Sequence, residues 1–535
     1  MSQTHLHEEL ARSKAVVAAE TQYGTIHGRR AANGAAVFLE VPYALPPTRF
    51  ADPVPLPPEF RYEEKEYILE SKHAVQPKND GQARGMPYED KVGLGEPSED
   101  PLFVNIVSPP SFPTQTGFPV KVYIHGGFLQ FGSPHALGSQ AQHIAAEKGE
   151  VWVNIGYRLS AFGFLASDEP KIDGNFGFKD QWLALQWVRD NIKAFGGNPD
   201  YIQVSGLSAG AHSVHQLLHH ASRLPDGVKA PFDSAIMQSN AIVTTPKTPA
   251  ELRPQFAALC RALALDPASP PDALLATLRD PAQVPASAIT RAIETDALGL
   301  EHGTFRGAWE PAWLGDTDPM AWQRSGELAR GLRAHGVKSV VVGEVSEEWY
   351  LYSIAHPVAS VEDLHKNLER YYKKEVVKKM LDVYLGRGEE GGKGGKPLGE
   401  RTPEELERLF GEVLSEGQVY LPVRLFARDM LATGYPVVRY EIRWTPEQLR
   451  PLGYVTHATD RSLWAMRLPV LKDDQSTVAR SWVSTIMDYV RRAEAGDVLP
   501  LKTIVALTED KEIREMEDTK WGEYMRLRTT LPGEV

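Results

Sequence analysis

Short apolar runs open the chain, and in its central third such runs alternate with segments whose apolar residues have helical spacing. Such runs, bounded by Gly and Asn, are typical of strands. Phe178–Ala194 repeats its apolar side chains at helical spacing, and Gly196 to Pro199 should end that helix. Further helices are predicted over Ala209–His220 and Asp473–Ala493. The predicted strands are Ala15–Ala19, Gly24–Gly28, Ala36–Val41, Val120–Ile124, Val151–Ile155, Tyr201–Ser205, Val337–Gly343 and Val437–Ile442, the last expected to close the sheet.

The order of these elements predicts an α/β architecture. Strands that are largely apolar and alternate with helices are typical of a mostly parallel sheet covered on both faces. Beyond Ala250 the pattern is largely helical, and helices at about 360–384 and 402–416 could form a cap spanning about 355–430. Gly386–Gly399 is a Gly-, Lys- and Glu-rich segment that we expect to be an exposed loop. Large α/β enzymes can add such parts to one sheet, so we expect a single domain over residues 1–535.

Composition narrows the possible partners and location. The formal net charge of −12 disfavours a nucleic-acid partner, because no basic stripe is present to face phosphates. Cys260 is the only cysteine, in an apolar helix-like stretch, so it is expected to be buried and no intramolecular disulfide can form. The sequence has no Asn-x-Ser/Thr site and no run of ~18 apolar residues. Met1–Ala19 also lacks a signal-peptide pattern. We therefore expect a cytoplasmic protein with no integral membrane segment.

Gly206-Leu207-Ser208-Ala209-Gly210 satisfies the G-x-S-x-G pattern. A serine on a sharp strand-to-helix turn needs small residues two positions away on each side, and its hydroxyl then projects from the sheet edge. A predicted strand lies directly before this turn and a predicted helix directly after it. The context predicts that Ser208 is a nucleophile.

His125-Gly126-Gly127 follows another predicted strand. Acyl transfer places negative charge on a carbonyl oxygen, and preorganised backbone N–H groups stabilise that charge. Glycines let the main chain approach a substrate closely. The amides of Gly126, Gly127 and Ala209 are therefore the predicted oxyanion hole.

Four histidines on one predicted helix raise the alternative of a metal site. His215 and His219 have i, i+4 spacing, but the string is H-Q-L-L-H, without the glutamate of a zinc protease. His212 and His220 lie on the same helix. We expect packed or solvent-facing histidines and no metal.

Several ordered motifs resemble the type-B carboxylesterase and cholinesterase family of α/β-hydrolases, over most of the chain. That resemblance implies a large, central, mostly parallel mixed sheet flanked by helices. The matching segments are Phe38–Ala44 with Pro46, Pro47, Arg49 and Phe50 (similar to GIPYA-PP-RF), Ser98–Asn105 (SEDCLYLN), Tyr157–Leu159 with Gly163–Leu165 (NYRL-GFL), and Gly174–Pro199.

The same resemblance implies the other two members of a catalytic triad. The family's acid follows a strand-closing glycine by five residues, which corresponds to Glu348, with Glu347 and Glu344 as the alternatives. The family's base corresponds to His457. The order Ser208, Glu348, His457 is the one expected for this fold.

The predicted function is a serine carboxylesterase without a cofactor, acting on a fairly apolar, small to medium ester. Leu207 stands where the family usually has Glu, and Trp349 where it usually has Gly, so both are expected to reshape the pocket. Lactone, amide or carbamate hydrolysis on the same triad stays open, as does a non-catalytic binding scaffold. The family contains both monomers and dimers, so the chain is expected to be a monomer or a homodimer. The candidate substrate-binding residues are Phe128, Phe131, Leu207, Trp349 and Trp464.

Overall fold

A computed structural model describes residues 4–78, 87–386 and 396–534 of the chain. Most of the low-complexity segment Gly386–Gly399 therefore lies outside the described residues. The strands are β1 (Val16–Thr21), β2 (Gly24–Arg30), β3 (Ala36–Pro42), β4 (Lys72–Ala74), β5 (Glu96–Ser98), β6 (Phe103–Ser108), β7 (Phe118–Ile124), β8 (Val151–Ile155), β9 (Gly197–Leu207), β10 (Ser234–Gln238), β11 (Ser339–Val345), β12 (Val437–Ile442), β13 (Thr503–Leu507) and β14 (Ile513–Glu517).

Twelve of these strands form one sheet in the order β1-β2-β3-β6-β8-β7-β9-β10-β11-β12-β13-β14. The six consecutive pairs from β8–β7 to β12–β13 are parallel, and the strands at both edges pair antiparallel. The predicted large, mostly parallel mixed sheet is confirmed. Because β7, β9, β11 and β12 are parallel, their carboxyl ends meet at one edge of the sheet, where ligand sites of such folds form.

Helices cover both faces of the sheet and build the region beyond Ala250. They are α1 (Leu6–Arg12), α2 (Glu89–Val92), α3 (Gln142–Lys148), α4 (Ser160–Phe164), α5 (Phe176–Asn191), α6 (Ala209–Ala221), α7 (Pro249–Ala262), α8 (Pro271–Arg279), α9 (Ala286–Glu294), α10 (Pro311–Leu314), α11 (Pro319–Arg324), α12 (Glu327–Ala334), α13 (Trp349–Ser353), α14 (Val361–Glu369), α15 (Lys374–Tyr384), α16 (Pro403–Ser415), α17 (Leu421–Leu431), α18 (Arg461–Trp464), α19 (Asp473–Glu494) and α20 (Trp521–Tyr524).

Two sequence predictions are wrong in detail. Val437–Ile442 does not end the sheet, because β13 pairs with it and β14 follows. The short run Thr503–Leu507 is too brief for its periodicity to identify it, and pairing with β12 makes it a strand. The helix predicted over 360–384 is broken between α14 and α15, where the buried rings of Tyr371 and Tyr372 pack into the core.

The segment from 416 to 420 is a π-helical turn between α16 and α17. Such wide turns inside helices are frequent near functional sites. This one carries Tyr420 toward the end of β11, where its hydroxyl meets the Glu348 N–H.

Candidate active site

Ser208 lies on the sharp turn between β9 and α6, with φ 60° and ψ −127°. Both flanking glycines are required by close backbone approach. A Cβ on Gly206 would lie 2.3 Å from the carbonyl carbon of Gly210, and a Cβ on Gly210 would lie 2.1 Å from the carbonyl oxygen of Ile124. The Ser208 N–H is held by the carbonyl oxygen of Gln238 at the end of β10, at 2.8 Å. The turn therefore has the strained geometry typical of a nucleophile elbow.

The His125-Gly126-Gly127 loop lies directly beside this turn. A Cβ on Gly126 would lie 2.9 Å from the Cβ of Ser208. Gly127 has φ +111°, and a Cβ there would lie 2.0 Å from the carbonyl oxygen of Phe131. Only glycine fits at either position. Within the part of the chain that the structure describes, the N–H groups of Gly126, Gly127 and Ala209 donate to no acceptor. Three unused donors thus lie around Ser208.

The buried ring of His125 fixes the shape of that loop. Its Nδ1 donates to the carbonyl oxygen of Gly126 at 2.8 Å, and the Tyr157 hydroxyl donates to the carbonyl oxygen of His125 at 2.8 Å. Burial lowers the pKa of His125 to about 4. The ring is neutral at neutral pH and acts as a structural support for the loop.

Glu348 and His457 form a buried pair. Nδ1 of His457 donates to Oε2 of Glu348 at 2.5 Å, and Oε1 of Glu348 accepts the Val345 N–H at 3.1 Å. Nε2 of His457 is buried and has no hydrogen-bond partner in residues 4–78, 87–386 and 396–534, Ser208 included. The structure thus brings the predicted acid and base into contact and leaves the second imidazole nitrogen unused.

The two alternative acids have other partners. Oε2 of Glu347 accepts the Val455 N–H at 2.8 Å, which ties the acid-bearing turn to the loop that carries His457. Glu344 forms a buried ion pair with Arg424 at 2.8 Å. Burial raises the pKa of Glu344 to about 7. Neither carboxylate contacts the imidazole.

Asp460 is a further buried carboxyl near the base, three residues after His457. Its Oδ2 accepts the indole N–H of Trp464 at 3.1 Å. Burial and the charge of Glu348 raise its pKa to about 6, while His457 opposes that shift.

Tyr420 contacts the turn that carries Glu348, and no sequence pattern indicated this contact. Its hydroxyl accepts the Glu348 N–H at 2.9 Å and lies 3.0 Å from the Ser346 carbonyl oxygen, to which it donates. The ring stacks on Tyr524 at 4.1 Å. One phenol therefore holds both ends of the turn that carries Glu348.

Two of the candidate wall residues lie in an aromatic cluster near the pair. The ring of Phe128 lies 6.1 Å from that of Phe131 and 6.0 Å from that of Tyr352. Tyr352 in turn lies 5.4 Å from the imidazole of His457. This cluster joins the Gly126–Gly127 loop to His457.

The other three candidate wall residues contact different parts of the molecule. Leu207 is buried in the core that also contains Trp464. Trp464 packs on Tyr440 and Trp482, with ring centroids 5.2 and 5.5 Å away. Trp349 packs on Tyr454 at 4.9 Å and lies under the guanidinium of Arg408. None of the ring contacts of the two tryptophans, in the residues described, involves Ser208, Glu348 or His457.

Two of the histidines of α6, His215 and His220, are held by ordinary contacts. His215 accepts the Ile242 N–H through Nδ1 at 2.9 Å and donates to Gln323 through Nε2 at 2.9 Å. His220 stacks on Trp313 at 4.0 Å. No group of metal-binding side chains occurs in the described ranges.

The sequence profile of the carboxylesterase family matches residues 14–524. The chain belongs to the carboxylesterase family. It is therefore a carboxylic-ester hydrolase of the α/β-hydrolase fold.

Several known proteins are similar to this chain over most of its length. A carboxylic ester hydrolase of Gibberella moniliformis (strain M3125 / FGSC 7600) is 31% identical over 467 residues, covering 82% of this chain and 80% of its own. The para-nitrobenzyl esterase of Bacillus subtilis (strain 168) is 30% identical over 368 residues, which cover 68% of this chain and 70% of that protein. Among solved structures, a PNB esterase matches with a TM-score of 0.71 and 26% identity, covering 95% of this chain and 99% of its own.

No helix among the described residues of this carboxylesterase is both long and apolar enough to cross a bilayer.

Proposed function

We propose that this enzyme hydrolyses carboxylic esters through an acyl-enzyme on Ser208, with His457 as base and Glu348 as acid. The observation that carries the proposal is the buried 2.5 Å contact between Glu348 and His457 Nδ1, with Nε2 left unused. Such a carboxylate holds the imidazole in one tautomer and stabilises its charged form. The strained turn at Ser208 supports the role of the serine as the third member.

The reaction follows from these roles. His457 Nε2 takes the hydroxyl proton as the Ser208 oxygen attacks the ester carbonyl carbon. The N–H groups of Gly126, Gly127 and Ala209 stabilise the resulting oxyanion. The tetrahedral intermediate then collapses, and the alcohol leaves with the proton from His457. Water, activated by the same base, hydrolyses the acyl-enzyme and restores the serine. No metal or organic cofactor takes part.

The substrate is a fairly apolar ester of small to medium size. The cluster of Phe128, Phe131 and Tyr352 supports this, because aromatic walls bind apolar chains by burial of their surface. The same triad chemistry acts on lactones, amides and carbamates when the leaving group allows it, so all three classes belong in the substrate series that tests the proposal.

The test compares wild type with Ser208→Ala on chromogenic acyl esters of increasing chain length, together with one lactone, one amide and one carbamate. We expect kcat/KM for the esters to fall by roughly 10⁴-fold or more on substitution. A phosphonate label, mapped by mass spectrometry, should modify Ser208 in wild type only. Equal slow hydrolysis by both proteins without labelling would contradict the proposal and favour a non-catalytic binding scaffold.

A further inference from the structure

A cavity beside α6 is lined by an excess of basic side chains. It lies between the segment that follows β10, the start of α7, and residues 301–307 and 370–373. Its lining includes two acidic side chains, Glu251 and Glu301, and four basic ones: Lys247, Arg306, Arg370 and Lys373.

Two of the four cations have carboxylate partners. Lys373 pairs with Glu251 at 2.5 Å, and Arg370 pairs with Asp296 at 3.2 Å. These two cations are neutralised within the protein, so they add little attraction for a ligand.

In the described residues no carboxylate lies within ion-pair distance of Arg306 or Lys247, although the charges of Glu251 and Glu369 still act on Lys247. The only hydrogen bond that Arg306 donates within the described ranges goes to the amide oxygen of Gln418, at 3.2 Å. The Lys247 ammonium only reaches the carbonyl oxygen of Glu369, at 3.5 Å. Most of the donors of Arg306 therefore remain available to a ligand.

Leaving Arg306 partly buried without an ion-pair partner among the described residues costs free energy. Burial lowers the pKa of both Arg306 and Lys247. A desolvated cation without a counter-ion destabilises the fold, because the protein does not replace the hydration that it loses. A bound anion would offset that cost.

The cavity lies close to the catalytic elements. His212, one helical turn after Ser208 on α6, lines it. The Arg306 guanidinium lies 5.0 Å from the ring centre of Tyr371, and that ring lies 6.3 Å from the ring of Phe128. Phe128 in turn contacts Tyr352, which contacts His457. One cluster of buried aromatic side chains therefore separates the cavity from His457.

We propose that a substrate held at Ser208 reaches past this aromatic cluster into the cavity, where Arg306 and Lys247 bind its carboxylate. The preferred esters then have an apolar body and a distal carboxylate. The inference rests on the proposed function and names its substrate class. The planar guanidinium fork matches a carboxylate in shape. Glu301 offsets part of the positive charge, and the remainder suits a singly charged group.

The test uses pairs of substrates that differ only in charge. The 4-nitrophenyl monoesters of glutaric, adipic and suberic acid are compared with the corresponding monoamides, in which a carboxamide replaces the free carboxylate. We expect wild type to have the higher kcat/KM for the carboxylate member at one or more chain lengths. In Arg306→Gln that preference should fall by roughly 10- to 100-fold, the range of a charge-assisted hydrogen bond. Lys247→Met should reduce it in the same direction.

Arg261→Gln is the matched control. Arg261 is exposed on α7, outside the cavity lining, so its loss changes the net charge equally without removing a ligand contact. The preference should be the same as in wild type. High salt should weaken inhibition of wild type by adipate more than inhibition by adipamide.

The outcomes separate the two proposals. The anion site is overturned, and the esterase left intact, if wild type hydrolyses the monoamides as well as the free acids. The same holds if its preference for the free acids survives both cavity substitutions. Serine-independent hydrolysis of every ester overturns the proposed function, and the anion site with it. If Arg306→Gln does not fold, two other measurements test the anion site: the charge preference of Lys247→Met and the salt dependence of adipate inhibition in wild type.

Discussion

At the scale of single residues, hydrogen bonds distinguish three carboxylates that follow each other within five positions. Glu348 contacts His457, Glu347 accepts a backbone N–H from the loop of the base, and Glu344 pairs with a buried arginine. The pattern of residues alone allowed any of the three to be the acid. Their different partners give each a different expected effect on substitution.

Glu348→Gln should lower kcat for a chromogenic butyrate ester by roughly 10³- to 10⁴-fold. An amide is uncharged and does not stabilise the imidazolium that forms as His457 takes the serine proton. Steady-state kinetics of the purified variants measure the effect. Glu347→Gln is the control, because its amide oxygen can still accept the Val455 N–H, and we expect its kcat to be close to that of wild type. The reverse order of effects would make Glu347 the acid.

At the scale of elements, the π-helical turn before α17 supports the end of β11. It directs Tyr420 at the turn between β11 and α13, and the phenol hydroxyl contacts both the Glu348 N–H and the Ser346 carbonyl oxygen. We therefore regard Tyr420 as a positioning residue for the acid.

Tyr420→Phe should reduce kcat by roughly tenfold, because a buried N–H left without its acceptor costs about 1–3 kcal/mol and loosens the turn. KM should change less than kcat, since the substrate does not contact the phenol. Tyr524→Phe is the matched control. It removes a hydroxyl from the stacked partner ring without touching the turn, and its kcat should be that of wild type. Unchanged kcat in Tyr420→Phe would argue against the positioning role.

At the scale of the whole molecule, a buried ionic cluster joins distant parts of the chain. Arg424 on α17 pairs with Glu344 on β11 and with Asp518, which follows β14, and Asp518 also pairs with Arg439 on β12. The cluster holds the last strand and its following segment against the strand that leads to the acid.

Arg424→Met should lower the free energy of unfolding by about 3–5 kcal/mol, since it leaves two buried carboxylates without one of their counter-ions. Chemical denaturation followed by tryptophan fluorescence measures it. Arg428→Met, one turn further along α17, removes the pairs of a partly exposed guanidinium with Glu534 and Asp429 and should cost clearly less. Equal losses in the two variants would show that the cluster contributes no more than a peripheral pair.

Much of the fold was predictable because local pattern and tertiary structure agree there. The strands Val151–Ile155 and Val437–Ile442 have the predicted bounds, and the elbow helix begins at Ala209 as expected. The glycines around Ser208 were predictable for the same reason, since the turn sterically excludes any side chain at Gly206 and Gly210. The final strands of the sheet were missed, because a five-residue run becomes a strand only when a neighbour pairs with it.

The architecture follows from the hydrophobic pattern of the sequence, and Ser208 follows from the small residues that its turn requires. The family, and with it the candidates Glu348 and His457, follow from the resemblance of the ordered motifs. Only the tertiary structure decided which carboxylate contacts the imidazole. It also revealed the phenol that contacts the turn carrying Glu348, and the two cations beside α6 that form no ion pair within the described residues. The physical reason is that these hydrogen bonds join residues far apart in the chain, 109 positions for Glu348 and His457 and 112 for Arg306 and Gln418, and no local pattern encodes such a pairing.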